Sequence, residues 1–220
     1  MTIEDFRDTE SGKCLICALG QSYEHQTHLL PSDNVIPRIG CNDASILGFT
    51  RYSVLVDNIN TTRNAAKELP NRVAGLMGIN SWTLFTVRQT YIYFINESAG
   101  MNVVYVALDE ESHDPTKSQL EGRLLCQAGT VVFPAISLAM ILGFRDIGII
   151  GFDYSGYLFR NPGKLHGQMS GGNLVKNIKN CNDAAVRFLK YATEKEIRIV
   201  NLNPNSAING FPKMQLEKWL

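Results

Sequence analysis

The sequence predicts a Rossmann-like α/β protein, a mainly parallel sheet with helices on both faces. Three observations predict it. Short apolar runs recur along the chain, separated by stretches with helical spacing. At least five of those runs end in polar, Gly- or Asn-rich tips: Gly20-Ser22, Asn42-Asp43, Asp57-Asn58, Asp153-Tyr154 and Asn203–Ser206. One stretch, Gly129 to Ser155 (GTVVFPAISLAMILGFRDIGIIGFDYS), holds a whole helix, turn, strand and polar tip. That is the grammar of a βα unit, and ligands of open α/β sheets bind beyond the carboxyl ends of the strands.

The elements follow in chain order. Cys14–Leu19 is an apolar run that reads as the first strand, with a turn at Gly20-Gln21-Ser22 and a short helix near Tyr23–Leu29. Asn34–Ile39 reads as the second strand, and Ser53–Val56 as the third. Thr61–Leu69 reads as a short helix stopped by Pro70. Thr83–Ile95 and Met101–Leu108 are rich in β-branched and aromatic residues and read as strands. Gly129–Leu142 is the long apolar helix and Ile147–Ile150 the strand after it. Gly156–Gly172 is a Gly-rich polar insertion following a strand tip, the usual position of an active-site loop. Leu174–Glu196 has amphipathic helical spacing, Ile197–Val200 is the last central strand, and Met214–Leu220 a terminal helix.

Bulk properties narrow the function. A length of 220 residues suits one domain, read as a single Rossmann-like nucleotide-binding domain over 1–220 with 156–172 as its active-site loop. The chain is 45% hydrophobic and 19% charged, enough to build a core and too little charge for disorder. Lys+Arg and Asp+Glu both number 21, so no nucleic-acid partner is expected. Five cysteines without a secreted spacing, and an acidic N-terminus unlike a signal peptide, predict a cytoplasmic setting. The longest apolar run, Val131–Leu142, contains Pro134 and Ser137 and falls short of the ~20 residues of a membrane span. Trp219-Leu220 at the end leaves a peripheral membrane contact open, and the oligomeric state is equally open, a homo-oligomer included.

Candidate chemistry sits at the tips. Gly20-Gln21-Ser22 suits either a phosphate cradle of backbone N–H groups or a plain turn with Ser22 as a helix cap. Asn42, Asn58, Asn203 and Asn205 are neutral amides that can read base edges and hydroxyls, or serve as turn residues. Asp57 and Asp153 could hold a metal on a diphosphate, accept from a sugar, or cap helices. Tyr154 and Tyr157 offer phenols to a phosphate, with Arg160 and Lys164 nearby in sequence. His166 is the one candidate general base, and His25, His28 and His113 have no constellation around them. Cys14-x-x-Cys17 has a metal or redox spacing but falls inside an apolar strand, where cysteines pack as core.

These residues resemble two related families. Gly129-Thr130-Val131, Ala135, Leu138-Ala139, Leu142-Gly143, Gly151 and Asp153 are similar to the small-residue helix, strand and G-x-D of the archaeal 6-hydroxymethylpterin diphosphokinase domain family. That family also forms the core of motility-associated flagellin glycosyltransferases. Asp57 and the tail Asn203–Phe211 fit it too. Cys41-Asn42, Asn58, Gly151-x-Asp153, Tyr157 and Pro204-Asn205-Ser206 resemble the nucleotide-binding tips of bacterial CMP-sialic acid-dependent sialyltransferases.

The second resemblance implies a glycosyltransferase-like enzyme, sialyltransferase-like, taking a nucleotide-activated sugar such as a CMP-nonulosonate. Asn42, Asn58, Asn205 and Ser206 would face the nucleotide and Tyr157 its phosphate on that resemblance, and the reading of the tips adds Gly20, Ser22, Asp57, Thr130 and Asp153 as candidate binding residues. No cofactor is required on that reading. The first resemblance implies an ATP:pterin diphosphokinase-like enzyme instead, with Mg²⁺ at Asp57 and Asp153. The departures are specific. The G-x-G-P-S turn appears as Ala18-Leu19-Gly20-Gln21-Ser22, and the sialyltransferase T-S-G helix start as Thr130-Val131-Val132. The family's catalytic His aligns best with Asn177, His166 being the nearest His. A nucleotide-binding module without catalysis is the third reading.

Overall fold

The computed structural model describes residues 1–42, 44, 50–56, 83–87, 102–109, 122–125, 128, 130–154 and 171–220. Labels follow chain order among these. The elements are β1 (Lys13–Cys17), α1 (Gln21–Gln26), β2 (Arg38–Cys41), β3 (Tyr52–Leu55), β4 (Thr83–Thr86) and β5 (Asn102–Tyr105). They continue with β6 (Leu108–Asp109), β7 (Leu124–Leu125), α2 (Val132–Leu142), β8 (Asp146–Ile150), α3 (Gly171–Glu194), β9 (Arg198–Asn201) and α4 (Leu216–Trp219). Seven strands form one sheet in the order β5-β4-β3-β2-β1-β8-β9, every pair parallel, and β6 with β7 make a separate parallel pair. This is a Rossmann-like α/β fold.

Continuous apolar strands are the signature of a sheet covered on both faces. Residues 14–17, 39–41, 52–55 and 147–150 are all buried, whereas edge strand β5 buries only Val104 fully and exposes Asn102 and Tyr105. Side chains of β1 alternate between two cores. Cys14 and Ile16 face the core built with Phe133, Ile136 and Phe188 of α2 and α3, while Leu15 and Cys17 face Tyr23 of α1 and Trp219 of α4.

Helix α2 is buried along its whole length, which its uniformly apolar sequence requires. Pro134 falls in the first turn, where its missing N–H costs no helical bond. Ser137 is the polar exception, and its Oγ accepts the Leu125 N–H at 3.1 Å. The helix ends at Gly143 (φ 103°), with Phe144 N–H on the Ala139 carbonyl and Gly143 N–H on that of Met140. Two further orphan carbonyls, of Ile141 and Leu142, accept N–H groups of Asp8 and Glu10 from the N-terminal segment.

The terminal helix packs its Trp219 over Gly148 of β8, where any added Cβ would lie 2.9 Å from the indole. Trp219 is 2% exposed and its Nε1–H donates to Asp146 Oδ1 at 2.9 Å, so this ring belongs to the core and presents no surface to a membrane. No helix among the described residues is long and apolar enough to cross a membrane.

Candidate functional site

Strand order locates the place where a ligand crevice is expected. The chain steps outward from β1 to β5 and then returns to lay β8 and β9 on the other side of β1. The order therefore reverses between β1 and β8, the topological switch point of a doubly wound sheet. The tips that meet there are Ala18–Ser22 after β1 and Gly151–Tyr154 after β8, flanked by the loop after β9.

These tips are sewn together. The ladder continues past the strands through Ala18 N–H to the Ile150 carbonyl at 2.8 Å and Gly20 N–H to the Gly151 carbonyl at 2.7 Å. Approach this close demands glycine on both sides. A Cβ on Gly20 would stand 2.7 Å from Asp153 Oδ2 and nearer still to the Gly151 oxygen; Gly151 has φ 77° and its Cβ would strike the Ala18 carbonyl. Asp153, 3% exposed, then accepts from Ser22 twice: from N–H to Oδ2 at 2.6 Å and from Oγ to Oδ1 at 2.5 Å. Ser22 Oγ in turn accepts the Gly151 N–H at 3.0 Å. Asn203 Nδ2 donates to Asp153 Oδ1 at 2.8 Å and draws the β9 loop into the same cluster.

The β9 loop is fixed by its own amides and hydroxyl. Buried Asn201 donates through Nδ2 to the Phe152 carbonyl at 3.2 Å and accepts the Asn203 N–H at 3.1 Å. Ser206 Oγ donates to the same Phe152 carbonyl at 2.7 Å and accepts the Ile208 N–H at 3.0 Å. The Asp153 carbonyl takes the Ala207 N–H at 2.9 Å. From α3, Asn182 Oδ1 accepts the N–H groups of Asn209 and Gly210 at 2.6 and 2.9 Å.

The sequence candidates separate accordingly. Gly20, Ser22, Asp153 and Ser206 come together at the junction, their polar atoms engaged with one another or with backbone. Asn205 lies beside them with its side chain exposed, its N–H held by Asn203 Oδ1 at 2.9 Å. Asn42, half-buried at the β2 tip, adopts φ 49°, a left-handed conformation that asparagine tolerates. Thr130 precedes α2, its Oγ1 accepting the Val132 N–H at 3.4 Å. Tyr154 (φ 50°) turns its ring edge-on to Phe152, and its phenol lies beside the Cys181 thiol of α3. Burial pushes that phenol up, and the Cys181 thiol is pushed up to about 11 for the same reason. Asp57, Asn58, Tyr157 and His166, with Arg160 and Lys164, lie outside the described residues.

Asn201 was invisible to sequence reasoning as a member of this junction. Its one signal is an amide directly ending the apolar run Ile197–Val200. The Cys14-x-x-Cys17 pair divides between the two cores, as a spacing of three along a strand requires. Burial raises both thiols, Cys17 to about 12. Among the described residues no group of three His, Cys, Asp or Glu is placed to hold a metal. An open hollow lined by Met1, Asp5, Phe6, Glu10 and Tyr52 lies at the amino end of β3, away from the strand tips.

The parallel sheet, its switch point and its converging polar tips define a doubly wound α/β protein of the Rossmann-like class. No family model and no curated protein sequence matches the chain. Among solved structures it is similar to the MAf glycosyltransferase of Magnetospirillum magneticum AMB-1, with 17% identity and a TM-score of 0.62. That likeness covers 97% of this chain and 37% of the glycosyltransferase, so the chain spans little over a third of its length. It is also similar to the sialyltransferase CstII from Campylobacter jejuni in complex with CMP-3FNeuAc, a substrate analogue. There the identity is 13%, the TM-score 0.50, and coverage 92% of this chain and 85% of that one. At such identities the likeness is one of fold.

Proposed function

We propose that the chain is a glycosyltransferase-like enzyme that binds a nucleotide-activated sugar, a CMP-nonulosonate in particular, at the carboxyl edge of its sheet. One observation carries this reading. The seven-stranded parallel sheet, with amide-rich tips on that edge, shares its fold with a glycosyltransferase and with a sialyltransferase whose structure holds a CMP-sugar analogue. Amides suit a cytidine nucleotide because they offer donors and acceptors without charge.

Asn42, Asp57, Asn58 and Asn205 are the proposed nucleotide contacts, with Thr130 at the start of α2. Gly20, Ser22, Asp153 and Ser206 serve the site by fixing the tips of β1, β8 and β9, the last of which carries Asn205. Tyr157 is assigned to the phosphate. Tyr154 would join it only by turning its half-buried phenol away from Phe152 and Cys181. His166 is the proposed base for the acceptor hydroxyl. Such a transfer depends on positioning and on stabilising the departing phosphate, and requires no metal.

Thermal shifts with CMP, UDP, GDP and ATP, each with and without Mg²⁺, test the reading. A ligand at 100 times its Kd adds about 2.7 kcal/mol of apparent stability. CMP should raise the melting temperature without Mg²⁺. A shift seen only with ATP and Mg²⁺ refutes it in favour of diphosphoryl transfer. A CMP shift with no hydrolysis or transfer from any CMP-sugar reduces it to binding alone, and undiminished turnover in His166→Ala removes that residue as the base.

A further inference from the structure

We propose that Asp153 is a built-in anion that closes the switch-point crevice, a positioning residue with no metal or ligand phosphate bound to it. Its carboxylate has only acceptors to offer. Oδ1 takes the Ser22 hydroxyl and the Asn203 amide, Oδ2 takes the Ser22 N–H, and the residue is 3% exposed. A divalent ion such as Mg²⁺ needs a near-octahedral shell of oxygens and keeps several waters in it. Among the described residues, the groups bonded to the Asp153 carboxylate are hydrogen-bond donors, which present protons to a cation. The residues present therefore do not fit a Mg²⁺ ion at this position.

The same donors form what a phosphate would use. An N–H, a hydroxyl and a side-chain amide converge on the carboxylate, and Gly20 leaves no room beside it. A ligand anion would have to displace Asp153 to reach them. That displacement would also release Asn203, and with it one tie to the loop that carries Asn205. At the point the strand order marks for a ligand, the described polar groups of the junction are thus engaged with one another. A phosphate must sit to one side of the junction, toward the β2 and β3 tips or toward the β9 loop. Only this last consequence rests on the nucleotide-sugar reading.

The test replaces the carboxylate from solution. Asp153→Ala in the full chain should melt at least ~5 °C below the native protein, since three donors lose their acceptor. Formate in large excess should then recover part of that loss, and chloride at equal ionic strength should not. The native protein and Asp153→Asn, whose amide fills the space, should show no formate-specific gain. Equal responses to formate and chloride in Asp153→Ala overturn the proposal, as does an unchanged melting temperature.

Should Asp153→Ala fail to fold, Ser22→Ala and Asn203→Ala report instead. Each should lower the melting temperature, and their effects should be non-additive because both donors meet on Oδ1; two neutral variants overturn the proposal. Mn²⁺ titration followed by water relaxation gives the independent arm. Absence of binding, or binding equal in the native protein and Asp153→Asn, agrees with the proposal, and binding lost in Asp153→Asn overturns it. None of these readouts involves a nucleotide, so the Asp153 junction and the nucleotide reading fail separately.

Discussion

Gly20→Ala is the sharpest perturbation of the junction. Gly20 has φ −73° and ψ 160°, a conformation open to any residue, so the substitution carries no backbone strain of its own. Its whole cost comes from contact. The new Cβ would lie 2.7 Å from Asp153 Oδ2 and 2.8 Å from Asp153 Cγ, inside the distance at which carbon and oxygen repel. Neither neighbour is a loose side-chain end, because Asp153 is held by three hydrogen bonds and Gly151 by the strand ladder. The tips must therefore part. Losing the Gly20–Gly151 bond costs about 1 kcal/mol, and weakening the charge-assisted Ser22–Asp153 pair about 2–3 kcal/mol. Reduced freedom of the unfolded chain returns ~0.5 kcal/mol. The net is about 3 kcal/mol, or ~6–12 °C of melting temperature for a chain of this size. Gly12→Ala is the internal control. Gly12 has φ 73° with nothing within 4 Å of its absent Cβ, so only left-handed strain of about 1–2 kcal/mol applies. Thermal melts followed by circular dichroism should place Gly20→Ala well below Gly12→Ala. The reverse order, or a Gly20→Ala protein within 2 °C (our threshold) of native, would refute the sewn junction.

Two other regions give independent tests. Burial holds the Cys17 and Cys181 thiols near 12 and 11 and raises Cys14 and Cys41 as well, so thiolate is scarce at pH 8. In a Cys126→Ser protein, Ellman's reagent should react at least ~100-fold more slowly before than after unfolding; one fast native thiol contradicts that burial. Asp33 Oδ1 accepts the N–H groups of Arg38 and Arg51 at 2.8 and 3.1 Å, while burial, outweighing these bonds and Arg51, raises its carboxyl. A raised acid favours the folded state when protonated, so its contribution to stability falls as pH rises from its unfolded value near ~4. Asp33→Asn keeps the Oδ1 acceptor and loses that slope. Urea titrations should show the variant gaining on the native protein between pH 3.5 and 6 (the chosen range), and a loss over that range would reverse the sign.

The sheet was legible because burial on both faces leaves an unambiguous trace. Expected runs at Cys14–Leu19, Ser53–Val56, Ile147–Ile150 and Ile197–Val200 coincide with β1, β3, β8 and β9 to within one or two residues. Asn34–Ile39 did not behave as a strand throughout. Val35 and Ile36 N–H groups return to the Ser32 carbonyl in a turn, Val35 is 70% exposed, and β2 begins only at Arg38. An apolar pair in a turn looks like the start of a strand until the bond pattern is known. The helix expected over Leu174–Glu196 starts earlier, at Gly171, and stops at Glu194, because Glu196 takes φ 56° where glycine is usual. Helix Thr61–Leu69, most of Thr83–Ile95 beyond β4, and the 156–172 loop up to residue 170 lie outside the described residues.

Most residues of the candidate site were legible in the sequence, but not the use each serves, for a physical reason. A polar residue after a buried strand has two uses, holding the tip or meeting a ligand, and both select the same residue types. Asp153 and Ser206 look like binding residues in the sequence because each follows an apolar strand or loop with no obvious partner nearby. Their partners are Ser22, 131 positions away, and the Phe152 carbonyl, 54 positions away, distances that no local pattern reveals. What separates the two uses is the fate of the acceptor atoms. Asp153 and Ser206 are buried and engaged, whereas Asn205 stands exposed on a loop whose backbone they hold. This division suits a reaction governed by positioning. A rim of amides gains most from binding when its backbone is ordered before the ligand arrives, because the entropy of fixing it has then already been met in folding. On the proposed glycosyltransferase reading, the carboxylate at the switch point would serve transfer at the strand tips by keeping them still.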